Sequence, residues 1–335
     1  MRLAALITGI VAVSVAIFFL PIKEVYFALA PHSVTTSDNP PLRLLFTGDI
    51  MMGRAVEIRM EGRGSNYPFL GTQALLTKPD LTIGNFEAAS PNVHVRTPSM
   101  GMQLSAKQSS FIVLADNGFD ILGLANNHTF DFGADGFLNT KDSCRDAELV
   151  CVGHPNVPQE RVVTQKGVRI GLLALNDISV PLDVTAAKAA LVRLEHESDI
   201  QIAYMHWGEE YEPIHTPRQE SIAHSLIESG ADVIVGMHPH IVQDIEIYNG
   251  RAIFYSLGNF VFDQDFSRET QEGLLLELTV SEKDITFTLI PITSVASPSQ
   301  PNIMNQNEAK ALLQSVFARN PSTKSFSKDF FTLPR

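Results

Sequence analysis

An uncharged apolar run opens the chain: Leu3 to Ile22 spans 20 residues between Arg2 and the pair Lys23 and Glu24. A helix of that length crosses a bilayer, so residues 1–23 read as a transmembrane signal anchor. Ala28-Leu29-Ala30 has the small-x-small pattern of a cleavage site, but Pro31 follows it, which favours an uncleaved anchor. Residues 24–41 read as a linker, and its end, PHSVTTSDNPP, is rich in Pro, Ser and Thr with no apolar period. From Leu42 the pattern changes to short apolar runs that each end in polar or ionisable residues. Leu42 to Thr47 precedes Gly48-Asp49, Leu81 to Ile83 precedes Gly84-Asn85-Phe86-Glu87, and Ile121 to Ala125 precedes Asn126-Asn127-His128. Ile200 to Met205 precedes His206-Trp207-Gly208, and Val233 to Val235 precedes Gly236-Met237-His238-Pro239-His240. Such runs predict strands of an α/β fold, in which the C-terminal strand ends share one edge and ligands bind in the loops there.

Further runs extend the same picture. Arg169 to Leu175 predicts a buried strand, and Ala252 to Leu257 leads into Gly258-Asn259-Phe260. Gly273 to Ile292, interrupted by Ser281-Glu282-Lys283-Asp284, predicts a hairpin. Helices are predicted near Phe111 to Asn117, Gly136 to Asp146 and Gln219 to Glu228. One large domain is therefore expected over 42–295, with a helix at Glu308 to Ala318 and a polar tail in 296–335.

With 44% hydrophobic and 19% charged residues, the composition excludes extensive disorder. A net charge of -12 excludes nucleic-acid binding through a general basic surface and favours cations instead. With Arg2 held inside, the bulk of the chain is expected outside the cytoplasm. Cys144 and Cys151 either close a small local loop, as an oxidising compartment allows, or are separate buried thiols.

The chemistry is carried by the strand ends. His238 and His240 flank a rigid proline, and in an extended turn both imidazoles reach one site. Asp49, Glu87, Asn127 and His206 add two carboxylates, an amide oxygen and a third imidazole. That donor set suits one or two divalent ions of the Mn, Zn or Fe kind, whereas calcium prefers oxygen alone. Each carboxylate taken singly is equally at home as a turn or cap residue.

Taken in order, LLFTGDIMMGR, IGNFEAA, LANNHTFDFG, YMHWGEEY, GMHPHIVQ and GRAIFYSLGNFVFDQ resemble the successive motifs of the bacterial capsule-synthesis CapA, or poly-gamma-glutamate biosynthesis, family, over about Leu42 to Ile292. That family is similar to calcineurin-like metallophosphoesterases, so the resemblance implies a four-layer α-β-β-α sandwich with two central sheets between helices. It implies Asp49, Glu87, Asn127, His206, His238 and His240 as metal ligands and His128 as the partner of Asn127 in an Asn-His pair; if a metal binds, an imidazole at His128 can donate a proton to a leaving group. The family's dinuclear relatives carry Asp-x-His in the first motif; Met51 stands there here, which weakens one of two metal positions, and Glu87 replaces the usual Asp.

Around that set, Asp131 either orients His128 or caps a turn, and Trp207 packs beside the site or stacks on substrate. Glu210 and Tyr211 can bind an amine or hydroxyl; Arg54 holds an anionic group or sits in a surface ion pair; Asn259 contacts the centre or closes the loop around it. The implied function is a membrane-anchored, extracytoplasmic factor that makes, exports or anchors an anionic capsule polymer, poly-gamma-glutamate or polysaccharide, by metal-assisted hydrolysis or transfer. Its expected partners are the polymer or its precursor, the membrane, and a capsule synthesis or export complex. Two alternatives stand: a phosphoesterase acting on an extracytoplasmic phosphate ester, and a non-catalytic binding module.

Overall fold

The computed structural model describes residues 40–98 and 101–335. The expected anchor and nearly all of the linker lie outside the described residues; among the described ones no helix is long and apolar enough to cross a membrane.

The chain builds one sheet, leaves it for a second, and returns. β1 (Leu42–Ile50), β2 (Leu81–Phe86), β3 (Ile121–Gly123) and β4 (Val150–Val152) lie parallel in the first sheet. The second holds β5 (Gln159–Gln165), β6 (Val168–Asn176), β7 (Ile200–His206), β8 (Val233–Met237), β9 (Ile245–Tyr248) and β10 (Arg251–Phe254), in the order β5-β6-β7-β8-β10-β9. Then β11 (Asn259–Val261), β12 (Glu272–Val280), β13 (Asp284–Thr293), β14 (Asn302–Ile303) and β15 (Phe330–Pro334) rejoin the first sheet, with order β14-β13-β12-β1-β2-β3-β4, β11 also on β1 and β15 on β13. The helices are α1 (Arg54–Arg63), α2 (Gln73–Leu76), α3 (Ser109–Asp116), α4 (Gly133–Asp146), α5 (Val184–Glu197), α6 (Pro217–Ile227) and α7 (Gln306–Ala318).

The strand alternation sets the layering. Leu172 and Ala174 of β6, and Ile202 and Tyr204 of β7, pack with Leu44 and Phe46 of β1 and Ile83 of β2 in one cluster, so the two sheets face each other. Their neighbours Leu173, Leu175, Ala203 and Met205 turn the other way, onto Leu191 and Leu194 of α5 and Ala223 and Leu226 of α6. Leu45 of β1 likewise packs outward with Val56 of α1, Phe111 of α3 and Phe137 of α4. Strands buried on both faces need apolar residues at every position, which is why they read as unbroken runs. Each fully buried Leu, Ile or Phe in these clusters contributes roughly 1.5–3 kcal/mol.

The final residues are not a polar tail. β15 pairs with β13, and Phe326, Phe331 and Leu333 pack against the inter-sheet cluster, so 296–335 belongs to the same compact unit as the rest, Pro41–Arg335. Cys144 at the end of α4 and Cys151 in β4 are joined as a disulfide.

Candidate metal centre

β1, β2 and β3 are parallel, as are β6, β7 and β8, so their C-terminal ends deliver side chains to one edge. Asp49 leaves β1 just past a register shift between Phe46 and Asp49. Glu87 follows β2, Asn127 and His128 follow β3, His206 ends β7, and His238 and His240 follow β8. The turn is not the extended one the proline indicates: φ is 97° at His238 and 59° at His240. Arg54 (φ 45°) and Tyr211 (φ 65°) at the mouth of the site also hold left-handed backbone. Each such non-glycine residue costs on the order of 1–3 kcal/mol, and they cluster where a ligand would sit.

Glu87 is the centre of the arrangement. Its carboxylate is fully buried, and among the described residues neither oxygen has a hydrogen-bond partner. Around Oε1 stand His128 Nε2 at 3.8 Å, His206 Nε2 at 3.9 Å and His240 Nε2 at 3.8 Å. Those separations are too long for hydrogen bonds, yet two ligands on one ion at 2.0–2.2 Å stand at most roughly 4.4 Å apart. Asp49 lies beside it, with Oδ1 accepting from Asn85 Nδ2 at 2.7 Å and Oδ2 from the His238 backbone N–H at 3.1 Å. His206 Nε2 is 2.7 Å from Asn127 Oδ1 and 3.1 Å from His238 Nδ1.

The electrostatics fit a cation. Burial, then the charges of Asp49 and Glu210, pushes Glu87 well above the ordinary carboxylate range. Burial also pushes Asp49 up to about 7, against the pull of Asn85 and the His238 N–H. Burial followed by neighbouring imidazoles holds His206 and His240 well below the ordinary histidine value, and burial with His128 lowers His238 to about 4. Neutral imidazoles, the hydrogen-bonded Asp49 and the unpartnered Glu87 form a donor set whose buried acidic charge a divalent ion would neutralise.

Asp131 contacts His128 directly: its Oδ2 lies 2.7 Å from Nδ1 and also accepts from the Leu104 N–H at 2.6 Å. Arg54 is not free, because its guanidinium pairs with the buried Asp263 and donates to the Gly101 carbonyl at 3.2 Å. Trp207 does not stack on substrate: it is fully buried, its Nε1 donates to the Tyr255 carbonyl at 2.9 Å, and it packs under α6. Asn259 is spent on the scaffold, with Oδ1 3.0 Å from His240 Nδ1 and Nδ2 donating to Gln264 and to the Thr270 carbonyl. Glu210 and Tyr211 line a cavity of about 230 Å3 with Arg54, His128 and His240. Met51 is buried, its sulfur accepting from the Gly53 N–H at 3.0 Å rather than joining the donor set.

Some residues that shape the site carried no assigned role in the sequence. Asn85 bridges Asp49 and His206, and Asn126 accepts from the His128 N–H while donating to Asn85. His215 pairs with Asp244 at 2.9 Å and stacks on Tyr255 at 3.9 Å, holding the loop that carries Glu210 and Tyr211. Burial pulls His215 down, but the hydrogen bond and charge of Asp244 outweigh it and leave His215 raised; Asp244, pushed up by burial, ends lowered by His215 and Asn320. The pair therefore stabilises fully below the ordinary histidine value of 6.5 and above the aspartate value of 3.8. Its contribution fades as pH rises through the raised histidine value. His215→Gln is expected to cost about 2 kcal/mol in urea unfolding at pH 5.5 and clearly less at pH 9; an equal cost at both would remove the ion pair from the account.

A family model described as "Bacterial capsule synthesis protein PGA_cap" matches residues 43–264. The chain belongs to that capsule-synthesis family. The capsule biosynthesis protein CapA of Bacillus anthracis is 34% identical over 272 residues, covering 74% of this chain and 66% of that protein. The PGA biosynthesis protein CapA of Bacillus subtilis (strain 168) is 33% identical over 267 residues, covering 74% and 70%. The chain thus spans about two thirds of the length of these family relatives. Among solved structures, a hypothetical protein from Thermus thermophilus aligns with a TM-score of 0.48 at 17% identity, covering 78% of this chain and 99% of that one. Chaetomium thermophilum Vps29 aligns at 0.32 and 13%, covering 78% and 95%. Likeness at this level decides nothing about the site.

Proposed function

We propose that this chain is a membrane-anchored, extracytoplasmic factor that acts on an anionic capsule polymer, poly-gamma-glutamate or its precursor, by metal-dependent hydrolysis or transfer at an amide or ester. The observation that carries the reading is Glu87, a fully buried carboxylate with no hydrogen-bond donor among the described residues, ringed by imidazole nitrogens. The helix–sheet–sheet–helix layering supports assignment to the metallophosphoesterase type. Asp49, Glu87, His206, His238, His240 and Asn127 are the residues to hold the metal, with Mn, Zn or Fe favoured by mixed imidazole and carboxylate donors. A bound divalent ion supplies positive charge that lowers the pKa of attached water and steadies an oxyanion.

The chain's own residues supply the rest. His128 donates Nδ1–H to Asp131, which leaves Nε2, the ring atom facing Glu87, to carry a proton to or from the reacting group. The apolar Leu3 to Ile22 run supports the anchor, and the Cys144–Cys151 disulfide supports an oxidising compartment. Met51, turned away onto Gly53, favours this reading over a two-metal phosphoesterase.

The test is polymer output and in vitro turnover with a panel of glutamyl amides and phosphate esters, in wild type and Asp131→Asn. Loss of the group that orients His128 is expected to lower turnover roughly tenfold to a hundredfold with metal content unchanged. Undiminished turnover would remove His128 from the proton path, and activity on phosphate esters alone would replace the polymer reading with the phosphoesterase one.

A further inference from the structure

The charge of the mouth selects which part of an anionic polymer enters. The residues lining the cavity include one arginine, Arg54, and that charge is spent on Asp263 and the Gly101 carbonyl. Its Nε is buried without a partner among the described residues, so it offers no fork to an incoming carboxylate. Ser99 and Met100, beside Gly101 in sequence, carry no charge. Against this, Glu210 is exposed and lines the same cavity as His128 and His240. It stands beside two exposed aromatic rings, Tyr211 (42% exposed) and Phe266 (67%), whose centroids are 5.4 Å apart at a steep angle.

Glu210 shares its carboxylate with the Tyr211 hydroxyl and has no cationic partner among the described residues; an acidic group beside aromatic rings suits an ammonium, whose charge it pairs while the ring faces add attraction worth roughly 0.5–1 kcal/mol when exposed. The interior of a polyglutamate chain presents carboxylates and amides only, and Glu210 disfavours those carboxylates while the Arg54 charge is already taken up by Asp263. The amino-terminal residue is different, because it carries the polymer's free α-ammonium.

We propose that Glu210, with Tyr211 and Phe266, binds the free ammonium group of a substrate, so that the site takes the amino-terminal end of a glutamyl polymer rather than its interior. This rests on the polymer reading above. The loop carrying Glu210 is prepositioned for the role: the Tyr211 N–H donates to the Pro239 carbonyl at 2.9 Å, inside the His238-Pro239-His240 turn, and Gln243 Nε2 donates to the Glu212 carbonyl at 2.9 Å. The ammonium position is thereby fixed relative to the metal ligands.

Calorimetric titration of the Mn-loaded full chain with a γ-glutamyl tripeptide and with its N-acetyl derivative tests this. Acetylation, which removes the positive charge, is expected to weaken binding to wild type at least tenfold, and Glu210→Gln to bind both peptides about equally while retaining its metal. Equal binding of the two peptides to wild type overturns the inference and leaves the polymer reading standing, as does a preference for the free amine that survives in Glu210→Gln. Binding of neither peptide to the loaded protein overturns both.

Discussion

Glu87→Gln is expected to make the metal-free protein more stable and to abolish its stabilisation by metal. Wild type buries a carboxylate that no described donor reaches, beside Asp49, and burial raises both. The sign follows from linkage. Above pH of about 4.5 the unfolded chain ionises Glu87 freely while the folded, metal-free chain resists, so the metal-free fold loses stability as pH rises. Asp49 adds the same slope between its ordinary 3.8 and about 7. Glutamine removes the Glu87 part, a gain of about 1.4 kcal/mol for each pH unit over which the metal-free fold holds the wild-type carboxyl neutral and the unfolded chain ionises it. Metal reverses the order: at a thousandfold excess over its dissociation constant it stabilises wild type by about 4 kcal/mol, and the variant by little. Thermal unfolding of both proteins, stripped and loaded with Mn or Zn, with metal measured by elemental analysis, decides the matter. A glutamine variant that is less stable when stripped and still takes up stoichiometric metal would sink the metal centre.

The clustering of the candidate residues was legible in the sequence because parallel strands buried on both faces read as apolar runs, and the ends of such runs share one edge. The misreadings come from neglecting the same geometry one residue further. Successive strand residues face opposite ways, so with His206 turned into the site Trp207 turns outward beneath α6. By the same period Asn85 and Glu87 share a face, and Asn85 reaches Asp49 and His206. His238-Pro239-His240 converges through left-handed turns that no local pattern announces. β5 carries too many polar residues to form a run, β9 is four residues long and interrupted by Glu246, and β15 is five residues long with alternate residues exposed. The pairing of His215 with Asp244, 29 residues on, is a tertiary fact that spacing does not encode.

Two glycine substitutions are expected to act with opposite signs, and the larger effect falls on a residue with no side chain. A Cβ on Gly48 would stand 1.9 Å from the Gly258 carbonyl oxygen and 2.8 Å from its carbon, both backbone atoms that no rotamer change can move aside. The crowding is the cost of a useful approach: the Asp49 N–H donates to that same carbonyl at 3.1 Å, and Asp49 lies opposite Asn259 in the β1–β11 register. Pushing the strands apart displaces Asp49 and, through Asn259, the ring of His240. Gly48→Ala is therefore expected to destabilise by about 3 kcal/mol or more and to lose metal as well. Gly62 lies within α1 with open space around its Cβ position, so Gly62→Ala is expected to gain up to about 1 kcal/mol from helix propensity and to keep its metal. Urea unfolding with metal analysis on both variants separates the cases. A Gly48→Ala protein of wild-type stability and full metal content would mean that the seam between β1 and the Gly258 loop does not set the position of the centre.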